Sequence, residues 1–202
     1  MTTIPVRDTT IHYELAGSGP TLVFIHGMCG DARVWDGQVA RLAGRFTCVT
    51  YDRRGHTRSA AGTAPESVET HAADAAALIE GLGLPRPVVV GSSGGARIAV
   101  ELARTRPELL TGAVFSEPPI FSLAPEVGQS FMDEVASVVR PAAEGGGPAA
   151  AVDAFFSLVC PGLWSRLDEP VKDRYRVNGP MMFAEFSGPP YLLSVDEAAG
   201  IG

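Results

Sequence analysis

Short apolar runs alternate with amphipathic stretches through the first half of the chain. The runs are TLVFI (21–25), FTCVTY (46–51), PVVVG (87–91) and GAVFSE (112–117). Unbroken runs of this length are typical of strands buried on both faces. Between them lie stretches with helical spacing, at 34–46, from 67 or 70 to about 80, and 94–106. This alternation predicts a parallel sheet with helices on both faces, hence an α/β, doubly wound fold with four buried strands.

The N-terminal segment and the second helix carry recognisable turn and capping signals. TTIPVR and IHYELAG alternate apolar and polar positions on either side of Asp8-Thr9, which predicts a hairpin. Ser67 or Thr70 is expected to cap the alanine-rich helix, which glycines end.

The pattern changes at Pro118-Pro119. From there to the end we predict helical segments and loops, with no buried strand. Large apolar residues are frequent in this half, and the run Gly145-Gly146-Gly147-Pro148 is expected to divide it into two parts.

Composition excludes several classes of function. The 202 residues are 46% hydrophobic with a net charge of −7, and no lysine and arginine cluster offers a nucleic-acid surface. No apolar stretch approaches the ~18 residues of a membrane span, and the N-terminus does not resemble a secretory signal. Cys29, Cys48 and Cys160 form neither a disulfide framework nor a zinc site. We therefore expect a reduced, cytoplasmic protein without nucleic-acid or membrane partners.

The strongest chemical signal is Gly91-Ser92-Ser93-Gly94-Gly95, between a predicted strand and a predicted helix. This is the G-x-S-x-G pattern of a nucleophile elbow, in which a strained turn presents the central serine. The spacing makes Ser93 the candidate nucleophile. A glycine-rich turn with a capping serine is the alternative, and the five residues alone do not separate the two.

A second signal follows TLVFI, at His26-Gly27-Met28-Cys29-Gly30. A loop in this position can supply one backbone N–H of an oxyanion hole, with the other from the residue after the nucleophile. The predicted donors are the amides of Met28 and Gly94. For His26 we favour a structural role within the loop.

Together, His26-Gly27, the loop YDRRGHTRS (51–59) and the elbow resemble the α/β-hydrolase superfamily in order and separation. The resemblance covers about residues 10–118 and implies the family's sheet as a core domain, 1–118. Residues 119–202 resemble the helical cap that many members carry. Thr57 departs from the family, which usually has glycine there.

The resemblance also implies a triad of serine, acid and histidine in that order. All four histidines precede Ser93, so the family's base, with the last two strands and the usual acid, is expected outside this sequence. Glu117 ends a predicted strand at an alternative acid position of the family; an exposed strand-end carboxylate is an equally weighted interpretation.

Three other interpretations stay open. A dinucleotide-binding domain would also place glycines between strand and helix, but Ser93 stands where its fingerprint needs a second glycine. A non-catalytic binding protein on a hydrolase fold would explain the missing histidine. The family also includes cofactor-free haloperoxidases, cyclases and C–C bond hydrolases, among which fold does not decide.

We favour a serine hydrolase that needs no metal or organic cofactor. Ser93 would attack an ester, thioester, lactone or amide and form an acyl-enzyme. The apolar residues of the second half indicate a small-molecule substrate with an apolar portion. Without a base, the 202-residue chain alone is expected to show little or no turnover.

Overall fold

A computed structural model describes residues 2–201, in which six strands form one sheet. The strands are β1 (Thr3–Val6), β2 (Thr9–Ala16), β3 (Thr21–Ile25), β4 (Thr47–Tyr51), β5 (Val88–Ser92) and β6 (Gly112–Ser116). Their spatial order is β1-β2-β4-β3-β5-β6, with β4, β3, β5 and β6 parallel. The predicted fold class is confirmed.

The N-terminal hairpin is antiparallel and joins the sheet through the β2–β4 pair, which is also antiparallel. Its turn lies one residue earlier than the sequence suggested. Val6 pairs with Thr9, so the turn consists of Arg7 and Asp8, and Thr9 already belongs to β2.

Three helices cover the two faces of the sheet: α1 (Asp36–Leu42), α2 (Val68–Gly81) and α3 (Gly94–Thr105). One core packs α2 and α3 against residues such as Val23, Val49 and Val89. A smaller core on the α1 side contains Phe24, Trp35 and Cys48. Of the two capping alternatives, Ser67 is the cap, because its side chain accepts the N–H of Thr70.

The expectation of four strands buried on both faces is wrong for β6. This strand pairs only with β5 and forms the edge of the described sheet. Val114 is 51% exposed and Phe115 36% exposed. An apolar run in the sequence predicts that a strand is buried from solvent. Whether it is buried depends on the strands and helices packed beside it, which the run itself does not encode.

Residues 117–201 contain helices and no strand, as predicted. The helices are α4 (Pro125–Val159), α5 (Pro161–Trp164), α6 (Glu169–Arg176), α7 (Gly179–Ser187) and α8 (Val195–Ala199). Gly147 interrupts α4 with φ 71° and ψ −165°, so the predicted break falls there. No helix between residues 2 and 201 combines the length and apolarity that a membrane crossing requires.

The helices α4 to α7 share their own apolar core, which includes Val135, Val152, Trp164 and Met182. Cys29, from the loop after β3, is buried in the same cluster. After α7 the chain returns to the first core, where Tyr191 and Leu193 are buried. The helical region is therefore attached to the sheet at both the β3 loop and the α3 side.

Candidate active site

Ser93 stands at the tightest point of the turn between β5 and α3. Its φ of 53° and ψ of −120° lie in a region that residues other than glycine rarely adopt. The Ser93 N–H donates to the carbonyl of Ser116 at 2.9 Å, and its own carbonyl accepts the N–H groups of Ala96 and Arg97. Hydrogen bonds to β6 and to the first turn of α3 thus stabilise the strained backbone of Ser93. Ser92 is the last residue of β5. The strained residue is therefore Ser93, the central serine of the G-x-S-x-G pattern.

The flanking glycines are required by close packing of strand and helix. A Cβ on Gly91 would lie 2.3 Å from the carbonyl oxygen of Gly95. A Cβ on Gly95 would lie 2.2 Å from the carbonyl oxygen of Ile25. Both distances are far inside van der Waals contact, and the obstacles are backbone atoms that cannot move aside. The glycine spacing of the motif therefore has a steric cause in this fold.

The loop after β3 lies directly against the elbow. A Cβ placed on Gly27 would be 3.2 Å from Cβ of Ser93, and one on Gly94 would be 3.6 Å from the Met28 nitrogen. Within residues 2–201, neither the Met28 N–H nor the Gly94 N–H has a hydrogen-bond acceptor. Two unused donors therefore lie beside the serine that the sequence selects.

The histidines His26 and His56 are both committed to structural hydrogen bonds. The His26 Nε2 accepts the Arg53 N–H at 3.0 Å, which leaves Nδ1 to donate to the Gly27 carbonyl at 2.8 Å. In His56, Nε2 accepts from the Arg53 guanidinium and Nδ1 donates to the Arg54 carbonyl at 2.9 Å. Neither ring has a free nitrogen that could take a proton from Ser93.

Burial acts on both rings in the same direction. It lowers the pKa of His26 well below its usual value, with the charge of Arg53 adding to the effect. Burial and the same charge lower the pKa of His56 to about 3. Both side chains are thus neutral members of the loop framework, in agreement with the structural role expected for His26.

Glu117 follows β6 directly and has a left-handed backbone, with φ 52°. It is exposed, and its carboxylate has no hydrogen-bond or ion-pair partner between residues 2 and 201. The preceding residue, Ser116, holds the Ser93 N–H. The structure thus places Glu117 next to the elbow in the fold, at the edge strand.

A buried ionic cluster, which the sequence did not indicate, lies beside Gly94 of the elbow. Glu185, on α7, accepts a hydrogen bond from the Arg53 guanidinium, and both side chains are almost fully buried. Burial, the largest single influence, would raise the pKa of Glu185. The charge and hydrogen bond of Arg53, together with His56 and His71 nearby, outweigh burial and lower the pKa to about 2. An ionised carboxylate from the helical region is therefore held within 3.8 Å of where a Gly94 side chain would begin.

Comparison with known proteins decides the family. The family model described as "alpha/beta hydrolase fold" matches residues 20–145, which is more than half of the chain. The chain belongs to the α/β-hydrolase family. The matched range contains both the loop after β3 and the elbow.

Two curated relatives and one solved structure illustrate the relationship of this α/β-hydrolase to others. It is 39% identical over 123 residues to the uncharacterized hydrolase YraK of Bacillus subtilis, covering 60% of this chain and 45% of YraK. It is 32% identical over 111 residues to a 2-(acetamidomethylene)succinate hydrolase of Mesorhizobium japonicum, covering 55% and 40%. The chain thus spans less than half the length of these relatives.

The solved structure is an α/β hydrolase from Sphaerobacter thermophilus, 28% identical, with a TM-score of 0.72. The similarity covers 99% of this chain and 78% of that one. It therefore extends through the helical half, beyond the region that the family model matches. Together, the comparisons show the α/β-hydrolase fold over nearly the whole chain.

In this α/β-hydrolase, one side chain of the helical region clamps the loop after β3. Asn178 is 2% exposed, and its Nδ2 donates to the carbonyls of Cys29 and Gly30, both at 3.0 Å. Cys29 has a left-handed φ of 57° and directly follows Met28. Sequence reasoning missed Asn178, because an isolated polar residue between two helices carries no motif.

Thr57 is strained, as the departure from the family pattern suggested. Its φ is 41°, a conformation that favours glycine. The rest of the loop is well supported: Asp52 accepts the N–H groups of Ala32 and Arg58 and the guanidinium of Arg58. Asp52 therefore organises the loop.

Proposed function

We propose that Ser93 is the nucleophile of a serine hydrolase that cleaves a carbonyl substrate through an acyl-enzyme. One observation carries the proposal: the strained residue of the elbow is Ser93, and it lies beside two backbone amides that have no acceptor among residues 2–201. A hydroxyl positioned this way can attack a carbonyl carbon, and the developing oxyanion finds donors already in place. Water then releases the acyl group.

The oxyanion donors in this proposal are the N–H groups of Met28 and Gly94. They come from different loops, so their separation depends on how the loop after β3 packs on the elbow. Asn178 and the buried Cys29 support that packing from the helical region. Prepositioned donors stabilise the transition state without reorganisation, and losing one typically costs about 10²–10³ in rate.

The proposed base is a histidine from outside this sequence, since His26 and His56 have no nitrogen available. Glu117 is the proposed acid. Its support is positional: it directly follows the residue whose carbonyl fixes the Ser93 N–H. No step of this mechanism calls for a metal or an organic cofactor.

We further propose that residues 1–118 form the catalytic core and 119–202 a cap over it. The support is that the apolar core of α4 to α7 also contacts Met28, the proposed oxyanion donor. Apolar side chains at the inner face of a cap form the walls of a substrate cavity. A small molecule with an apolar portion beside its carbonyl would suit this surface.

The test is hydrolysis of p-nitrophenyl butyrate by the purified chain, with imidazole added to supply a base. Imidazole itself hydrolyses p-nitrophenyl esters, so the protein-free rate is subtracted at each imidazole concentration. We expect slow protein-dependent turnover without imidazole and a clear increase with it, because a serine hydroxyl needs a proton acceptor. Ser93→Ala should remove the increase, and Ser92→Ala, one residue away, should keep it. An imidazole effect that is equal in both variants would refute Ser93 as the nucleophile.

A further inference from the structure

Arg97 lies one helical turn beyond Ser93, in the first turn of α3. Its side chain is 21% exposed and lines a small polar cavity that also reaches Gly94. The cavity therefore begins at one of the proposed oxyanion donors and continues toward a guanidinium. Nothing in the proposed acyl-transfer chemistry uses this arginine.

The Arg97 guanidinium has no hydrogen-bond acceptor within residues 2–201, although it carries five N–H donors. Its Nε is fully buried and without a partner. The nearest carboxylate oxygen, Oε2 of Glu185, is 3.8 Å from Nη2, beyond hydrogen-bond distance. Burial lowers the pKa of this guanidinium, which is what incomplete compensation of a buried charge produces.

The other charged groups around the cavity already have partners. Glu185 accepts from Arg53, and Glu66 contacts Nε2 of His71. Arg53, the other guanidinium of the cavity, has an unpartnered Nε as well but is bonded to Glu185. Within residues 2–201, Arg97 is the guanidinium of this cavity that makes no hydrogen bond, and its one ionic contact is Glu185 at 3.8 Å. A buried N–H without an acceptor raises the free energy of the folded protein. An anionic group that enters the cavity would accept hydrogen bonds from the Arg97 guanidinium and so bind there.

We propose that Arg97 is a binding residue for a substrate carboxylate, and that the substrate carries this carboxylate a few bonds from the reacting carbonyl. The short distance follows from the position of the guanidinium, because Nη2 of Arg97 lies 3.8 Å from where a Cβ on Gly94 would be, and Gly94 directly follows Ser93. A planar guanidinium can hold both oxygens of a carboxylate. That the substrate has a reacting carbonyl near this carboxylate rests on the proposed function. Binding of a carboxylate by Arg97 does not.

The charges in the cavity favour a single negative charge on the ligand. Glu66 and Glu185 also line it, so each additional charge would be repelled by carboxylates only a few ångströms away. A monocarboxylate with a neutral ester or amide nearby meets this repulsion once and gains the hydrogen bonds of Arg97, whereas a second charge adds repulsion without a second guanidinium that is free to bind it. Phosphate esters with two charges would be disfavoured.

Two small probes of the same skeleton test the proposal. Monomethyl succinate has an ester and a carboxylate, whereas dimethyl succinate has two esters and no charge. We expect monomethyl succinate to bind the Ser93→Ala chain and to shift the Arg97 Nε–H and Gly94 amide signals in a ¹⁵N NMR titration. Dimethyl succinate should bind at least ten-fold more weakly, since a hydrogen-bonded ion pair is replaced by an ester.

Arg97→Met should weaken binding of monomethyl succinate at least ten-fold, and Arg97→Lys, which keeps the charge, should weaken it less. Arg104→Met is the matched control, because Arg104 lies on the same helix but binds Glu101. Equal binding of the two succinates, or undiminished binding by Arg97→Met, would overturn the proposal. Should Arg97→Met fail to fold, the Nε–H signal of the unsubstituted arginine gives the same answer.

The titration uses Ser93→Ala and so does not depend on turnover. Absence of a charge preference would refute the Arg97 site and leave the nucleophile untouched. Conversely, failure of the imidazole experiment described above would refute the nucleophile and leave the binding site untouched.

Discussion

Asn178 forms hydrogen bonds to Thr57 through both the oxygen and the nitrogen of its side-chain amide. Oδ1 accepts the Thr57 N–H at 2.8 Å, and Nδ2 lies 3.0 Å from the Thr57 hydroxyl. The two residues are 121 positions apart in the sequence. Through this contact, a helix junction of the second half stabilises a strained turn of the first half.

Replacing Asn178 with alanine should therefore destabilise the protein strongly. The change would leave the carbonyls of Cys29 and Gly30 buried without partners, and the part-buried Thr57 N–H would lose its acceptor. Each such group costs about 1–3 kcal/mol, so we expect a total loss of about 3 kcal/mol in urea unfolding. Gln129→Ala, which removes an exposed bond to Asp133, should change stability by less than about 0.5 kcal/mol. Similar losses in the free energy of unfolding for Asn178→Ala and Gln129→Ala would contradict the stabilising role of the Asn178 hydrogen bonds.

Gly95→Ala tests the steric account of the elbow. The added Cβ would meet the carbonyl oxygens of Ile25 and His26, at 2.2 and 2.6 Å, so we expect a loss of about 3 kcal/mol or more, or failure to fold. Gly37→Ala is the matched control, because Gly37 lies in α1 with nothing within 4 Å of its Cβ position. It should stabilise the protein by about 0.5–1 kcal/mol in thermal unfolding. An elbow that accepts alanine without loss would refute the close packing.

Stability should fall with decreasing pH from about pH 6.5 downward, because His56 stays neutral in the folded protein and becomes charged on unfolding. Its pKa is lowered from 6.5 to about 3, so the unfolded state binds more protons throughout that interval. The expected slope from this residue is about 1.4 kcal/mol per pH unit. Urea unfolding between pH 7.5 and 4.5 measures it. His56→Gln should reduce the slope, and a flat profile in the parent chain would contradict the prediction.

The parts of the fold that the sequence predicted are those determined by neighbouring residues. Alternating apolar runs predict the strands, Ser67 or Thr70 predicts the start of α2, and the glycines around Ser93 predict a close strand-to-helix turn. Residues distant in sequence were not predictable in this way. Glu185 and Arg53 are 132 positions apart, and no local pattern relates them. The exposure of β6 depends likewise on which elements pack beside it, which its own five residues do not encode.

The most direct test of the central claim is labelling of the purified chain by a fluorophosphonate, with and without imidazole, mapped by peptide mass spectrometry. A fluorophosphonate reacts with a serine hydroxyl that is activated by a base and whose product oxyanion is stabilised. The account predicts imidazole-dependent labelling at Ser93, lost in Ser93→Ala and retained in Ser92→Ala. Labelling at Ser92, or no labelling of Ser93 above that of other serines when imidazole is present, would contradict it.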